Sequence, residues 1–258
     1  MIPIEVLETA PSTMDVARER VRRGQFVCGS ETVTCSCVMA LEQTRGRGQR
    51  GRQWFARNGE SLSATYMVYS SRLTDPVRSQ NIGLLAGVSL AEVVARRCPE
   101  VSVGLKWPND LMLNGRKAGG ILVEMVASPV GDRVALIGVG VNVAVREFPD
   151  DLADAATSMT LEGIAADRLP NLRTLAEEIG AELATQVEAS HVDTAACIRR
   201  WRQFDATTGR RFETRVGDST VSGVAEGIDD TGALLLRMDG GSLQPVTSAT
   251  SLRELHAR

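Results

Sequence analysis

The chain has 258 residues, of which 43% are hydrophobic and 24% charged, with a formal net charge of −3. This balance is that of a globular domain with room for a small second one. It excludes a helical membrane span, since no stretch approaches the ~20 apolar residues required, and an acidic chain argues against a general nucleic-acid binder.

The opening MIPIEVLETAPST has no basic start followed by an apolar core, so no secretory signal is expected. Five cysteines (Cys28, Cys35, Cys37, Cys98 and Cys197) at irregular spacing point to a reducing cytoplasm rather than a disulfide framework. Cys35 and Cys37 lie two apart on a strand and share a face. With only His191 and His256 in the chain, buried small hydrophobes fit them better than a metal pair.

Ile4–Leu7 reads as a short strand. Ser12-Thr13 precedes a helical run over Met14–Arg23 with Asp15 in its first turn, the pattern of an N-cap. The alternative is that the two hydroxyls face a ligand at the helix start. Gly24 ends the helix. Thr32–Glu42 alternates as a strand and runs into Gln43-Thr44. Residues 45–52 then hold four arginines and three glycines. Glycine permits close backbone approach and arginine grips phosphate or carboxylate, so this is an anion loop, expected to be loose until an anion arrives. Trp54 and Phe55 could cover an aromatic ring. A solvated Arg/Gly loop for RNA is the competing reading.

Gly46, Gly48 and Gly51 fit G-x-G-x-x-G, but RQWFARNGE after them has no apolar helical face, so the dinucleotide fingerprint is rejected. No Gly-Lys dipeptide occurs, which excludes a P-loop. Ser61–Ser70 is a strand. Gln80–Arg97 reads as an amphipathic helix, apolar at Ile82, Leu85, Val88, Leu90, Val93 and Val94.

Residues 104–124, GLKWPNDLMLNGRKAGGILVE, carry both lysines of the chain, Lys106 and Lys117; the other 27 basic residues are arginines. An ammonium is a compact point charge that guanidinium does not replace at a tight anion site. Val101–Lys106 is a strand stopped by Trp107-Pro108. Asn109-Asp110 offers oxygens at a bend, and Leu111–Leu113 is a short strand. Asn114-Gly115 marks a hairpin whose return strand holds Lys117 and the Gly119-Gly120 pair. Val134–Val145 is an apolar strand with Gly138 and Gly140. Asn142 within it either turns at the strand end or reads a ligand edge. Residues 146–170 read as loop. Leu172–Ser190 and Asp193–Phe204 are helices. Then Arg210–Val216, Thr220–Ile228, Ala233–Met238 and Ser242–Thr247 are short strands separated by turns at Gly217-Asp218, Asp229–Gly232 and Asp239–Gly241, the spacing of a small all-β barrel.

Together these motifs resemble biotin–protein ligases almost end to end. Ser12–Asp15 is similar to the family's serine-threonine motif, Glu42–Trp54 to its GRGRRGR-x-W loop, Lys106–Asp110 to KWPND, Arg116–Leu122 to R-K-x-x-G-I-L and Gly138–Asn142 to G-x-G-x-N. GIDDTGALLL and TSLREL are similar to its C-terminal SH3-like domain. KWPND with the Arg/Gly loop is the specific combination.

The resemblance implies an α+β fold. A mixed β-sheet backed by helices, of the class II synthetase-like biotin/lipoate ligase type, would span 1–205, and an SH3-like barrel 206–258. It implies ATP, Mg²⁺ met through the phosphates, biotin, and the biotin carboxyl carrier domain of acetyl-CoA carboxylase or another biotin carboxylase. It implies Ser12, Thr13, Gln43, Gly46, Arg47, Gly48, Gln49, Lys117 and Gly120 at biotin. Arg50, Trp54, Lys106, Asn109, Asn142 and Arg253 would meet ATP or the adenylate, and Lys117, Arg47 and Asp110 would be catalytic. Gln49 stands where the family's commonest loop has Arg. The ligase-only form is expected, with no DNA partner; a homodimer through an edge strand stays open. Lipoate or octanoate ligation on the same fold remains an alternative, although that group's motif has a following His and here no His precedes 191.

Overall fold

The computed structural model describes residues 2–26, 33–71, 81–190, 194–216, 219–247 and 252–255. Thr32, Gln80, Asp193, the Gly217-Asp218 turn, Cys28 and both histidines lie outside them.

Alternating and continuous apolar runs build one seven-stranded sheet, from β1 (Ile4–Ala10), β2 (Thr34–Gln43), β3 (Ser61–Tyr69), β4 (Val103–Lys106), β5 (Asp110–Leu113), β6 (Arg116–Ala127) and β7 (Arg133–Asn142). Their spatial order is β1-β2-β3-β7-β6-β5-β4. The sheet is mixed, as expected: β1 runs parallel to β2 and every other pair is antiparallel.

Each face has its own cover. Helix α1 (Thr13–Arg22) packs on one, burying Met14, Ala17 and Val21 against Val38, Met67, Val134 and Leu136. Helices α2 (Ile82–Arg97) and α3 (Leu172–Ser190) cover the other, over Leu62, Tyr66, Ile121 and Ile137, and α4 (Thr194–Gln203) packs against both helices. The amphipathic expectation for α2 is corrected. It is buried at Ile82 and from Leu84 through Ala91, with both Gly87 and Ser89 inside, because it lies on the sheet beside α3 with α4 packed against it. Cys35, Cys37, Cys98 and Cys197 are free and buried. Burial pushes the Cys35 thiol up to about 12, that of an inert core group.

The chain then forms a second, antiparallel sheet of β8 (Arg211–Val216), β9 (Ser219–Ile228), β10 (Leu234–Met238), β11 (Leu243–Val246) and β12 (Arg253–Leu255), ordered β11-β10-β9-β8-β12. Four of these strands were legible; β12 is too short to give a period. The first sheet's outer strand is stitched to the start of this unit. Leu105 N donates to Phe204 O (2.6 Å), Ala206 N to Leu105 O (2.9 Å), and Trp107 N to Thr207 Oγ1 (2.7 Å).

Candidate active site

The floor of the site is a patch of missing side chains. Gly120 on β6 pairs with Gly140 on β7, and the indole of Trp54 lies across them. A Cβ at Gly140 would fall 2.5 Å from the ring, and one at Gly120 3.6 Å from it. Gly138, on the same face of β7, admits Met14 of α1 in the same way. The cleft therefore opens on the α1 side of the sheet. Phe55, expected beside Trp54, instead packs on Phe148 with ring centroids 5.7 Å apart.

The β5–β6 hairpin forms one wall. Asn114 (φ 46°) and Gly115 (φ 81°) make the turn, both left-handed, as a tight two-residue connection requires. Lys117 Nζ donates to Asp110 Oδ1 at 2.6 Å, and the ammonium stem runs beside Gly120. Segment 155–157 straps this wall. Lys117 N donates to Ala155 O (3.0 Å) and Thr157 N to Lys117 O (2.8 Å). The Thr157 carbonyl also accepts from Asn142 Nδ2 at 3.0 Å, which takes one of that buried amide's two donors.

The opposite wall is the corner where parallel β1 and β2 end side by side, Ala10 beside Gln43. Here the capping expectation is corrected. Ser12 makes no side-chain cap hydrogen bond, and its buried hydroxyl has no partner. Thr13 instead turns sideways. Its N–H and hydroxyl donate to Gln43 Oε1 (2.8 and 3.2 Å), while Thr65 Oγ1 donates to Thr13 Oγ1 (2.8 Å). Gly46 leaves room for the Gln43 amide, which stands 3.2 Å from where a Cβ would be.

The Arg/Gly loop folds as a small hairpin across the top. Trp54 N donates to Gly46 O (3.0 Å), Gly48 N to Arg52 O (2.8 Å), and Gln49–Gly51 is a single 3-10 turn. No longer helix opens here, in line with rejecting the dinucleotide fingerprint. A cavity of about 480 Å³ lies against the loop, between Arg45, Arg47, Arg52, Leu122 and Glu124. The Arg47 guanidinium is engaged by carboxylates, 3.0 Å from Asp15 and 3.4 Å from Glu124. Arg18 bonds the same two acids. The Arg50 side chain lies outside the described residues.

Lys117, Asp110, Gly120, Trp54, Gly46, Gln43, Thr13, Ser12 and Asn142 thus surround one cleft, with Arg47 on the same side of the sheet. Three further expected residues have intrachain partners. Asn109 Nδ2 donates to Ile121 O (2.6 Å), Lys106 Nζ to Glu254 Oε2 (2.9 Å), and Arg253 sits 3.2 Å from Glu213. The sequence reading missed Glu162, which accepts from Thr157, Asn114 and Arg116 and so braces the hairpin and its strap. It also missed Glu124, Thr65 and Glu254. Glu254 lies inside TSLREL and Glu124 ends the 104–124 stretch, but neither carried a role there; each of the four matters through a contact more than 45 residues away in sequence.

Four buried side-chain atoms have no hydrogen-bond partner among the described residues: Ser12 Oγ, Trp54 Nε1, Asn142 Oδ1 and Glu60 Oε2. Glu60 adjoins the same end of the sheet, because Ser61 pairs with Asn142. An unmade buried hydrogen bond costs on the order of 1–3 kcal/mol. Orphans gathered around one cleft are what a ligand bearing several polar groups would satisfy. Among the described residues no three carboxylate, thiol or imidazole groups converge as a metal site.

The family model for biotin/lipoate A/B protein ligases matches residues 11–142, and that for the biotin protein ligase C-terminal domain matches 209–250. The chain is 33% identical over 240 residues to the bifunctional ligase/repressor BirA of Escherichia coli, an alignment covering 92% of this chain and 70% of that one. It is 33% identical over 208 residues to the biotin–[acetyl-CoA-carboxylase] ligase of Mycobacterium tuberculosis, covering 79% and 73%. Among solved structures, the biotin protein ligase from Aquifex aeolicus in complex with biotin and ATP superposes with a TM-score of 0.78 over 99% of this chain and 100% of that one. At 21% identity that likeness speaks for the fold.

Proposed function

The chain belongs to the biotin/lipoate A/B protein ligase family, and from that premise we propose how its cleft works. The protein is an ATP-dependent biotin–protein ligase. It activates biotin as biotinyl-5'-AMP and transfers the biotinyl group to a lysine of a carrier domain. The reading rests on one observation: three orphaned polar atoms, Ser12 Oγ, Trp54 Nε1 and Asn142 Oδ1, around a cleft with an ammonium on its wall.

Biotin's ureido ring can both accept from and donate to hydroxyls, so we assign it to the Ser12, Thr13 and Gln43 corner, with Gly46 and Gly48 allowing the loop to close on it. Trp54 would cover adenine. Asn142 Oδ1, which has no partner, would accept from its exocyclic amine.

In the first step a biotin carboxylate oxygen attacks the α-phosphorus of ATP. A P–O bond forms, and the bond to the β-phosphate oxygen breaks to release pyrophosphate. Two unit anions ~4 Å apart repel by ~4 kcal/mol at an effective dielectric near 20. Lys117 offsets this, and Arg47 does too once the incoming anion replaces Asp15 and Glu124 as its partner. Mg²⁺ would enter on the ATP phosphates and offset their charge there.

In the second step the carrier amine attacks the anhydride carbonyl. A C–N bond forms, the bond from the acyl carbon to the bridging oxygen breaks so that AMP leaves with that oxygen, and the amine gives up a proton. A free lysine is only ~0.04% neutral at pH 7. Asp110 is the carboxylate assigned to draw that ammonium in and receive its proton.

Residues 1–205 and 206–258 would be the two domains. A biotin carboxyl carrier domain, such as that of acetyl-CoA carboxylase, is the proposed macromolecular partner, and the cytoplasm the proposed setting. No helix among the described residues is long and apolar enough to cross a membrane.

The test is pyrophosphate release from ATP. Release with biotin and little with lipoate is expected. Release with lipoate alone would move the protein to the lipoate branch of the family, and no release with either acid would refute the reading.

A further inference from the structure

A row of alternating charges runs from the cleft into the second sheet. Lys117 bonds Asp110 (2.6 Å), Asp110 Oδ2 stands 4.0 Å from Lys106, Lys106 bonds Glu254 (2.9 Å), and Glu254 bonds Arg210 (2.8 Å). Lys106 and Asp110 are directly opposed across β4 and β5, so Lys106 has two carboxylates within reach and sits closer to the one on β12. The three inner side chains are shielded, Asp110, Lys106 and Glu254 being only 16%, 21% and 14% exposed. Charges in such a setting are screened far less than surface pairs.

We infer that Glu254 is a positioning residue for the transfer step: by holding Lys106 it leaves Asp110 open to the ammonium of the carrier lysine. Without Glu254 the nearest anion for Lys106 is Asp110. Closing that gap would place two ammonium groups on one carboxylate and repel a third, the one that has to react. The second sheet then contributes to the chemistry through one carboxylate and does more than pack against the first. Glu254 is suited to the task. Burial pushes its carboxyl up, but hydrogen bonds from Arg210 and Lys106 outweigh this and keep it below the usual range.

The inference rests on the ligase reading, and the test separates the two. Biotinyl-AMP is formed on the protein and then offered either a carrier domain or hydroxylamine, a nucleophile that is uncharged at neutral pH and needs no carboxylate to attract it. In Glu254→Gln, transfer to the carrier lysine should fall about tenfold, the effect of one unpartnered charge a few ångströms away. Capture by hydroxylamine should stay within about twofold of wild type, and a merely loosened fold would lower both alike. Glu254→Asp should restore part of the loss, and Arg210→Met, which leaves the Lys106 contact in place, should keep the wild-type ratio. Should Glu254→Gln fail to fold, the ordering of Glu254→Asp below Arg210→Met in the lysine-to-hydroxylamine ratio decides the matter. An unchanged ratio in every variant overturns the inference. Failure of wild type to release pyrophosphate with biotin would overturn the ligase reading instead.

Discussion

Lysine is scarce in this chain, and both copies lie against Asp110. The cluster of ammonium groups was visible in the sequence because arginine is used everywhere else. What they touch was not, because Glu254 lies 148 positions from Lys106. The two steps assign different work to the pair. Lys117→Ala should abolish biotin-dependent pyrophosphate release; near-normal release from that variant would remove Lys117 from the first step. Asp110→Asn should form adenylate but pass biotin to the carrier at least about tenfold more slowly, a loss of ~1.4 kcal/mol in barrier terms, read by single-turnover transfer. Ser12 shows the converse limit. Its position before a helix announced a cap, yet the hydroxyl is buried without a partner, and only the packing of α1 against the β1–β2 corner reveals that.

At the level of elements, the hairpin was legible down to its turn because Asn-Gly has few other uses, whereas its brace was not. Glu162 is held below the usual carboxylate range. Burial raises it, but hydrogen bonds from Thr157, Asn114 and Arg116 more than offset that. Glu162→Gln should lower thermal stability by about 1–3 kcal/mol, the cost of unmade buried hydrogen bonds. It should also raise KM for ATP more than KM for biotin, since the strap it holds supplies the carbonyl that orients Asn142. The glycine floor makes a second prediction at this scale. A methyl at Gly140 would overlap the indole of Trp54, so Gly140→Ala should weaken ATP binding, measured by calorimetry, with a much smaller effect on biotin. Glycine in a strand signalled close approach in the sequence; that the approaching group is a tryptophan of the same chain did not follow from it.

For the molecule as a whole, pH acts from both ends. Glu162 and Glu254 have folded-state values below their ordinary one. The stability they contribute is therefore present above the unfolded carboxyl value, near 4.5, and is lost as pH falls below it. The buried thiols behave oppositely. Cys35 is raised to about 12, and Cys98 and Cys197 to about 11, in each case chiefly by burial. Their contribution is intact below the ordinary thiol value near 9.0 and declines as pH rises toward 11. Melting temperature should thus fall on both sides of a neutral plateau. Cys98→Ala should flatten the alkaline limb, and an unchanged alkaline slope would contradict the assignment. The strands of the second unit were readable from their spacing, while the mixed first sheet came from the family resemblance. The stitch between the sheets was not readable, because it uses main-chain groups of Leu105, Phe204 and Ala206 that carry no side-chain signature.

The engagement of both lysines with carboxylates has a consequence for the protein as a vessel. Its intermediate is a mixed anhydride that acylates whatever free amine it meets, and the folded surface offers that anhydride few such targets. Lys106 is clasped by Glu254 beside the second sheet, and Lys117 is held by Asp110 on the hairpin wall of the cleft. Intact mass after long incubation with biotin and ATP, without acceptor, should therefore shift by less than one biotinyl group per chain on average. Heat-unfolded chain given preformed biotinyl-AMP should take up more.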